Sequence, residues 1–151
     1  MNNPKYLRSA LDKGVTVIMA HCVLPYFGDL DTNYLDDMEE FFKLIEESKT
    51  NSWKLYADVS ALAEPLRNEY VPRLQKSVPP DRLLLGSDYP VPASELSYKS
   101  EKNIFNWIKL AWKAITIKNP IDKNYEVIKE MGFDESIFIN AGRLFAQISR
   151  N

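Results

Sequence analysis

Residues 14–22 read GVTVIMAHC: a glycine, then six apolar or β-branched residues without a break, then the chain's single histidine. A run such as residues 15–20, with no polar residue at every second position, predicts a parallel strand covered on both faces. Two further segments have the same texture. Residues 53–59 (WKLYADV) end at Ser60, and residues 83–85 (LLL) run into Gly86, Ser87 and Asp88. Between the first two, residues 36–47 (DDMEEFFKLIEE) place Met38, Phe41, Phe42 and Ile45 at helical spacing with acids opposite, which predicts an amphipathic crossover helix. Residues 66–78 carry Leu66, Tyr70, Val71 and Leu74 and predict a shorter helix, started or kinked at Pro72. Strands alternating with helices imply βαβ units and a parallel sheet, so the three strand ends share one face, where ligands bind in such folds.

Beyond Pro92 the pattern turns helical. Residues 101–118 carry Ile104, Phe105, Trp107, Ile108, Leu110, Ala111, Trp112 and Ile115, a wide apolar stripe that predicts one long helix burying a large face. Asn119-Pro120 punctuates it. Residues 122–131 predict a helix stopped by Gly132, and residues 134–148 a last helix with Asp134 as N-cap. With no repeat, low-complexity tract or flexible linker, residues 1–151 read as one unit.

Composition narrows the partners. The 151 residues are 45% hydrophobic and 12% aromatic, enough for a core, and 19 Lys and Arg against 21 Asp and Glu leave a net charge of −2. That balance favours neither nucleic acid nor an anionic membrane, and points to a small-molecule substrate. The lone Cys22 cannot form an internal disulfide, the first residues lack the apolar core of a signal peptide, and no run approaches the ~20 residues of a membrane span, so a cytoplasmic protein is expected. The five glycines form no phosphate-binding motif, and no GxSxG nucleophile elbow occurs.

The chemistry collects at the strand ends. His21, where the first strand gives way to a loop, can ligate a metal or relay a proton, or else bond a loop carbonyl. Asp88 follows the apolar LLLGS. An ionised carboxylate there needs a cation, a metal or hydrogen-bond donors, so metal ligation and turn capping are both open. Gly86 would let something approach the backbone closely. Asp58 lies inside the second strand, where alternation sends it either toward the inner face or toward the helices. Ser60, at that strand's end, is the better candidate to face a ligand, and Cys22 should pack as a small apolar residue.

Three segments taken together, GVTVIMAHC (14–22), LYADVSAL (55–62) and DRLLLGSDYPVPA (81–93), resemble strands six, seven and eight of the amidohydrolase-related superfamily, and NAGRLF (140–145) is similar to its closing helix. GSDYP is the most specific of these and NAGRLF the least. The resemblance implies a partial (β/α)8 barrel of about three parallel strands with crossover and C-terminal helices. It implies a divalent metal, usually zinc, held by His21 and Asp88, with Asp88 also the catalytic base that takes a proton from the attacking water. Ser60 and Tyr89 would contact substrate. Metal-dependent hydrolysis is the implied activity, and some relatives instead decarboxylate aromatic or conjugated acids.

The departures from the family pattern also carry expectations. The family's His-x-His pair on strand one and its strand-five histidine have no counterpart in a chain with one histidine, and two ligands cannot hold a catalytic zinc. A full barrel takes about 250 residues. The chain therefore reads as the C-terminal part of a barrel that self-associates through its open edge or requires a missing N-terminal half. An inactive binding or oligomerising half-barrel is the alternative.

Overall fold

The structure, a computed structural model, describes residues 3–24, 34–63, 67, 70–90, 108, 111, 112 and 115–150. Among them lie five α-helices and one three-stranded parallel sheet in the order β1-β2-β3. The strands are β1 (Val17–Met19), β2 (Leu55–Asp58) and β3 (Leu83–Leu84), each lying inside the run that predicted it and trimmed at both ends or at one. The helices are α1 (Arg8–Asp12), α2 (Tyr34–Asn51), α3 (Val71–Ser77), α4 (Pro120–Glu130) and α5 (Ile137–Ile148).

The crossover helix is longer than the apolar pattern alone predicts, but its buried face is the expected one: Met38, Phe41, Phe42 and Ile45, joined by Leu44. Asp36 and Asp37 in its first turn and Lys49 in its last complement the helix dipole. Arg8 of α1 clamps it from outside, with a two-pronged pair to Glu47 (2.8 and 2.7 Å) and a further bond to Glu40 at 2.5 Å. Trp53 Nε1 donates to Asp12 at 3.0 Å, tying α1 to the start of β2. In α3, Pro72 sits in the first turn and Val71 and Leu74 are buried, so the proline starts the helix rather than kinking it.

The C-terminal helices begin and end on local signals. Asn119 caps α4 by accepting the Ile121 N–H at 2.9 Å, which starts it two residues earlier than expected, and Gly132 follows its end at φ +77°. Asp134 accepts the Ser136 N–H at 2.8 Å in the turn before α5, so regular helix begins later than the expected N-cap implied. Asn140, the first residue of NAGRLF, is buried and donates to the carbonyls of Pro80 (2.8 Å) and Leu83 (3.0 Å), fastening α5 to β3.

Register settles which face of the sheet is covered. Met19, Ala57 and Leu83 pair across the three strands, and with Val17 and Leu55 they point into the one core, which reaches from Leu11 to Ile137. Ile18, Tyr56, Asp58 and Leu84 point the other way. Ile18 is 40% exposed there, and Tyr56 and Asp58 are half-buried. The expectation that the strands are covered on both faces thus holds for β3 but not for β1 and β2. Among the described residues the helices close one face of the sheet and leave most of the other open.

Most of the helix expected over residues 101–118 lies outside the described residues. Residues 108, 111, 112, 115 and 116 are helical, but Ile108, Trp112 and Ile115 are exposed, Trp112 at 69%. The buried face expected of this helix is not formed at these three positions, since no described element packs over them. Among the described residues no helix is long and apolar enough to cross a membrane.

Candidate functional site

All three strands deliver polar side chains to one end of the sheet. Beyond β1 the chain turns through Ala20–Val23, with His21, Cys22 and Val23 at φ 55°, 50° and 63°. Ala61 follows β2 at φ 57°, and Asp88 follows β3 at φ 51°. A left-handed backbone costs an L-residue about 1–3 kcal/mol and persists where the surroundings over-determine it, and for a β-branched residue such as Val23 it is a true outlier. Here it turns the chain sharply after each strand and aims His21 and Asp88 toward each other.

His21 Nε2 lies 3.8 Å from Asp88 Oδ1, with both side chains about 30% exposed. On the other side of the ring, Nδ1 lies 2.7 Å from Ser60 Oγ. The Ser60 hydroxyl in turn donates to Asp58 Oδ1. That carboxylate oxygen also accepts the backbone N–H groups of His21 and Ser60, each at 3.1 Å. Asp58 therefore fixes the position of His21 twice, through its backbone and, by way of Ser60, through its ring.

The sheet's open face answers the question the strand pattern left open, placing Asp58 on the side away from the core. The strand pattern does not reveal its role, because Ala57 and Val59 on either side are both apolar and leave the phase of alternation without an anchor. The signal that could have found it is the spacing Asp58-x-Ser60 at a strand end, where a carboxylate reaches the N–H two residues on.

Two neighbours hold this cluster in place. A Cβ on Gly86 would lie 3.0 Å from Ser60 Cβ and 3.5 Å from Asp58 Cβ and Cγ, so the close approach expected at Gly86 is made by this pair. Buried Asn124 of α4 donates to the Ser87 carbonyl at 3.2 Å, steadying the residue before Asp88 from the C-terminal helices. Cys22 is fully buried and donates to the Asp58 carbonyl at 3.1 Å. Burial, reinforced by the Asp58 charge, pushes its thiol far above the ordinary range and makes it unreactive packing.

Of the two residues expected to touch substrate, Tyr89 stands 63% exposed at the rim beside Asp88. Ser60 is only 4% exposed, with its oxygen engaged by both His21 and Asp58. A cleft of about 300 Å³ lined by Gln75, Val78, Pro80, Leu83, Phe133 and Ile137 contains none of the strand-end residues.

A metal bound by one imidazole nitrogen and one carboxylate oxygen at about 2.1 Å each, in tetrahedral geometry, separates those atoms by roughly 3.4 Å. The 3.8 Å between His21 Nε2 and Asp88 Oδ1 fits two ligands of such a set within a few tenths of an ångström. Asp58 Oδ1 is not a third, since it already serves three donors on the far side of the ring. Among the described residues no group of three or more His, Cys, Asp or Glu is arranged to hold a metal. No family model matches the chain, and no curated protein or solved structure matches it significantly.

Proposed function

We propose that this chain forms the strand-six to strand-eight part of an amidohydrolase-type metal-dependent (β/α) barrel acting on a small molecule. In this reading His21 and Asp88 are two of the ligands of a divalent metal, taken as zinc by the resemblance. The observation that carries it is the convergence of His21 Nε2 and Asp88 Oδ1 to 3.8 Å at the C-terminal end of a parallel sheet. The open face bearing Asp58 supports it, because in a barrel that face would look inward.

When bound, such a metal supplies Lewis acidity for water activation. The Asp88 carboxylate would take the proton from the attacking water, and its partial exposure leaves it accessible to a ligand. Ser60, too enclosed to meet substrate, orients His21, while Tyr89 lines the approach. At least one further protein ligand must join the pair from outside the described residues. Decarboxylation of an aromatic or conjugated acid would use the same pair.

A serine-hydrolase reading has one observation in its favour, the 2.7 Å contact between Ser60 Oγ and His21 Nδ1. Against it, Ser60 is buried and gives its proton to Asp58 instead of His21.

The test is zinc titration of the 15N-labelled full chain, observed at its one histidine. Millimolar zinc should perturb the Nε2 signal of His21, weakly because the ligand set is incomplete, and Asp88→Ala should abolish the effect. An Nε2 signal indifferent to zinc would sink the metal reading and favour a binding module without chemistry.

A further inference from the structure

We propose that Asp58, acting through the Ser60 hydroxyl, holds His21 in its Nδ1–H tautomer and so presents a bare Nε2 lone pair to Asp88. Asp58 and Ser60 are then positioning residues for the pair that the metal reading calls on.

The assignment follows from counting protons. An ionised carboxylate only accepts, and three donors converge on Asp58 Oδ1: the His21 N–H, the Ser60 N–H and the Ser60 O–H. A serine hydroxyl has one proton, and here it is spent on Asp58. Toward the imidazole, Ser60 Oγ can then only accept, so the proton in the 2.7 Å contact belongs to Nδ1. A neutral imidazole carries one N–H, which leaves Nε2 unprotonated.

Distance on the other side of the ring agrees. At 3.8 Å, Nε2 and Asp88 Oδ1 are too far apart for a hydrogen bond, so Asp88 does not draw the proton across the ring. Two lone-pair atoms left facing each other define a place for a cation or for a molecule that donates on both sides. Such a carboxylate behind the far nitrogen orients a metal-ligating histidine and raises its basicity. In this chain the carboxylate acts at one remove, through a serine.

Burial and the backbone make the relay rigid. Ser60 is only 4% exposed and its hydroxyl is engaged by both His21 Nδ1 and Asp58 Oδ1, so turning it away breaks both contacts. Asp58 cannot swing away without releasing two backbone N–H groups, one of them that of His21 itself.

The inference deepens the metal-site reading, but its test does not depend on metal. Because the chain has a single histidine, long-range 1H–15N correlation on the labelled full chain reports this ring alone. Spectra should be recorded at rising pH until they stop changing, so that the neutral ring is the species read. The expected spectrum has a protonated-type Nδ1 and a bare-type Nε2. An Nε2–H tautomer, or equal averaging of the two nitrogens, would overturn the proposal.

Ser60→Ala removes the acceptor, and Asp58→Ala frees the hydroxyl to donate to Nδ1, so each should shift the population toward Nε2–H. Ser60→Thr, which keeps the hydroxyl, should retain Nδ1–H. If Asp58→Ala folds and keeps the wild-type tautomer, Asp58 has no such role. Should the variants fail to fold, the wild-type spectrum alone decides. An Nδ1–H ring whose Nε2 ignores zinc would uphold the relay and defeat the metal reading, so the two can fail separately.

Discussion

The residues that an apolar strand hands directly to a loop, His21 and Asp88, can be picked out of the sequence because chemistry-bearing side chains interrupt an otherwise apolar pattern there. Asp58 could not, since its meaning depends on the partner strands and on which face the helices cover. Gly86 lies between these cases: a lone glycine before Ser-Asp signals a close approach without naming what approaches. The contact with Ser60 and Asp58 makes a direct prediction. Gly86→Ala must push a methyl against Ser60 Cβ at 3.0 Å, an overpacking that costs about 1–3 kcal/mol. It should lower the thermal midpoint and, by displacing Ser60, disturb the tautomer balance of His21. A variant with unchanged melting and an unchanged histidine spectrum would show that the packing around the relay is looser than these distances imply.

Elements were legible where periodicity and punctuation agree. Helix α2 shows its buried face at helical spacing, and Asn119, Pro120 and Gly132 bracket α4. What the sequence could not show is how elements are fastened to one another, because those bonds join residues far apart in the chain, as Asn140 does between α5 and β3. The clamp of α1 on α2 is of the same kind. The Arg8 hydrogen bonds, and then its charge, hold the Glu47 carboxyl below the usual carboxylate range, while Arg8 itself is driven further up and stays charged throughout. A carboxylate with a depressed folded value stabilises the fold above its unfolded value and loses that contribution as pH falls through the folded one. The stability difference between wild type and Arg8→Met should therefore be present at pH 7 and shrink below the ordinary Glu value near 4.5. Both side chains are about one-third exposed, so solvent screening keeps the neutral-pH difference to about 1 kcal/mol. Paired urea titrations at several pH values measure it. A difference independent of pH would mean that Arg8 stabilises through the packing of its aliphatic stem instead.

At the scale of the whole molecule, the strand order that makes β2 central also makes β1 an edge among the described residues. Its outward-facing Ile18 is 40% exposed, and Val15 just before it 49%. Short, uncharged and β-branched, such an edge offers backbone N–H and C=O groups to another strand, and natural edges usually carry a lysine, a proline or a bulge that discourages this. Residues 15–20 carry none of these. The expected occupant is a second copy of the chain, since every copy brings the same unprotected edge and the same apolar residues beside it. Burying the latter contributes about 25 cal/mol per Å². A charge at Val17, which packs against the core, would test folding and not the edge. Ile18 lies on the open face, so Ile18→Lys leaves the covered side of the sheet intact while placing a charge on the edge. Sedimentation velocity across a concentration series should show wild-type dimers or larger species, and Ile18→Lys should shift the distribution toward monomer with its helical circular dichroism unchanged. A wild-type chain that stays monomeric at every concentration would refute association through β1, and would mean that this edge is covered from within the same chain.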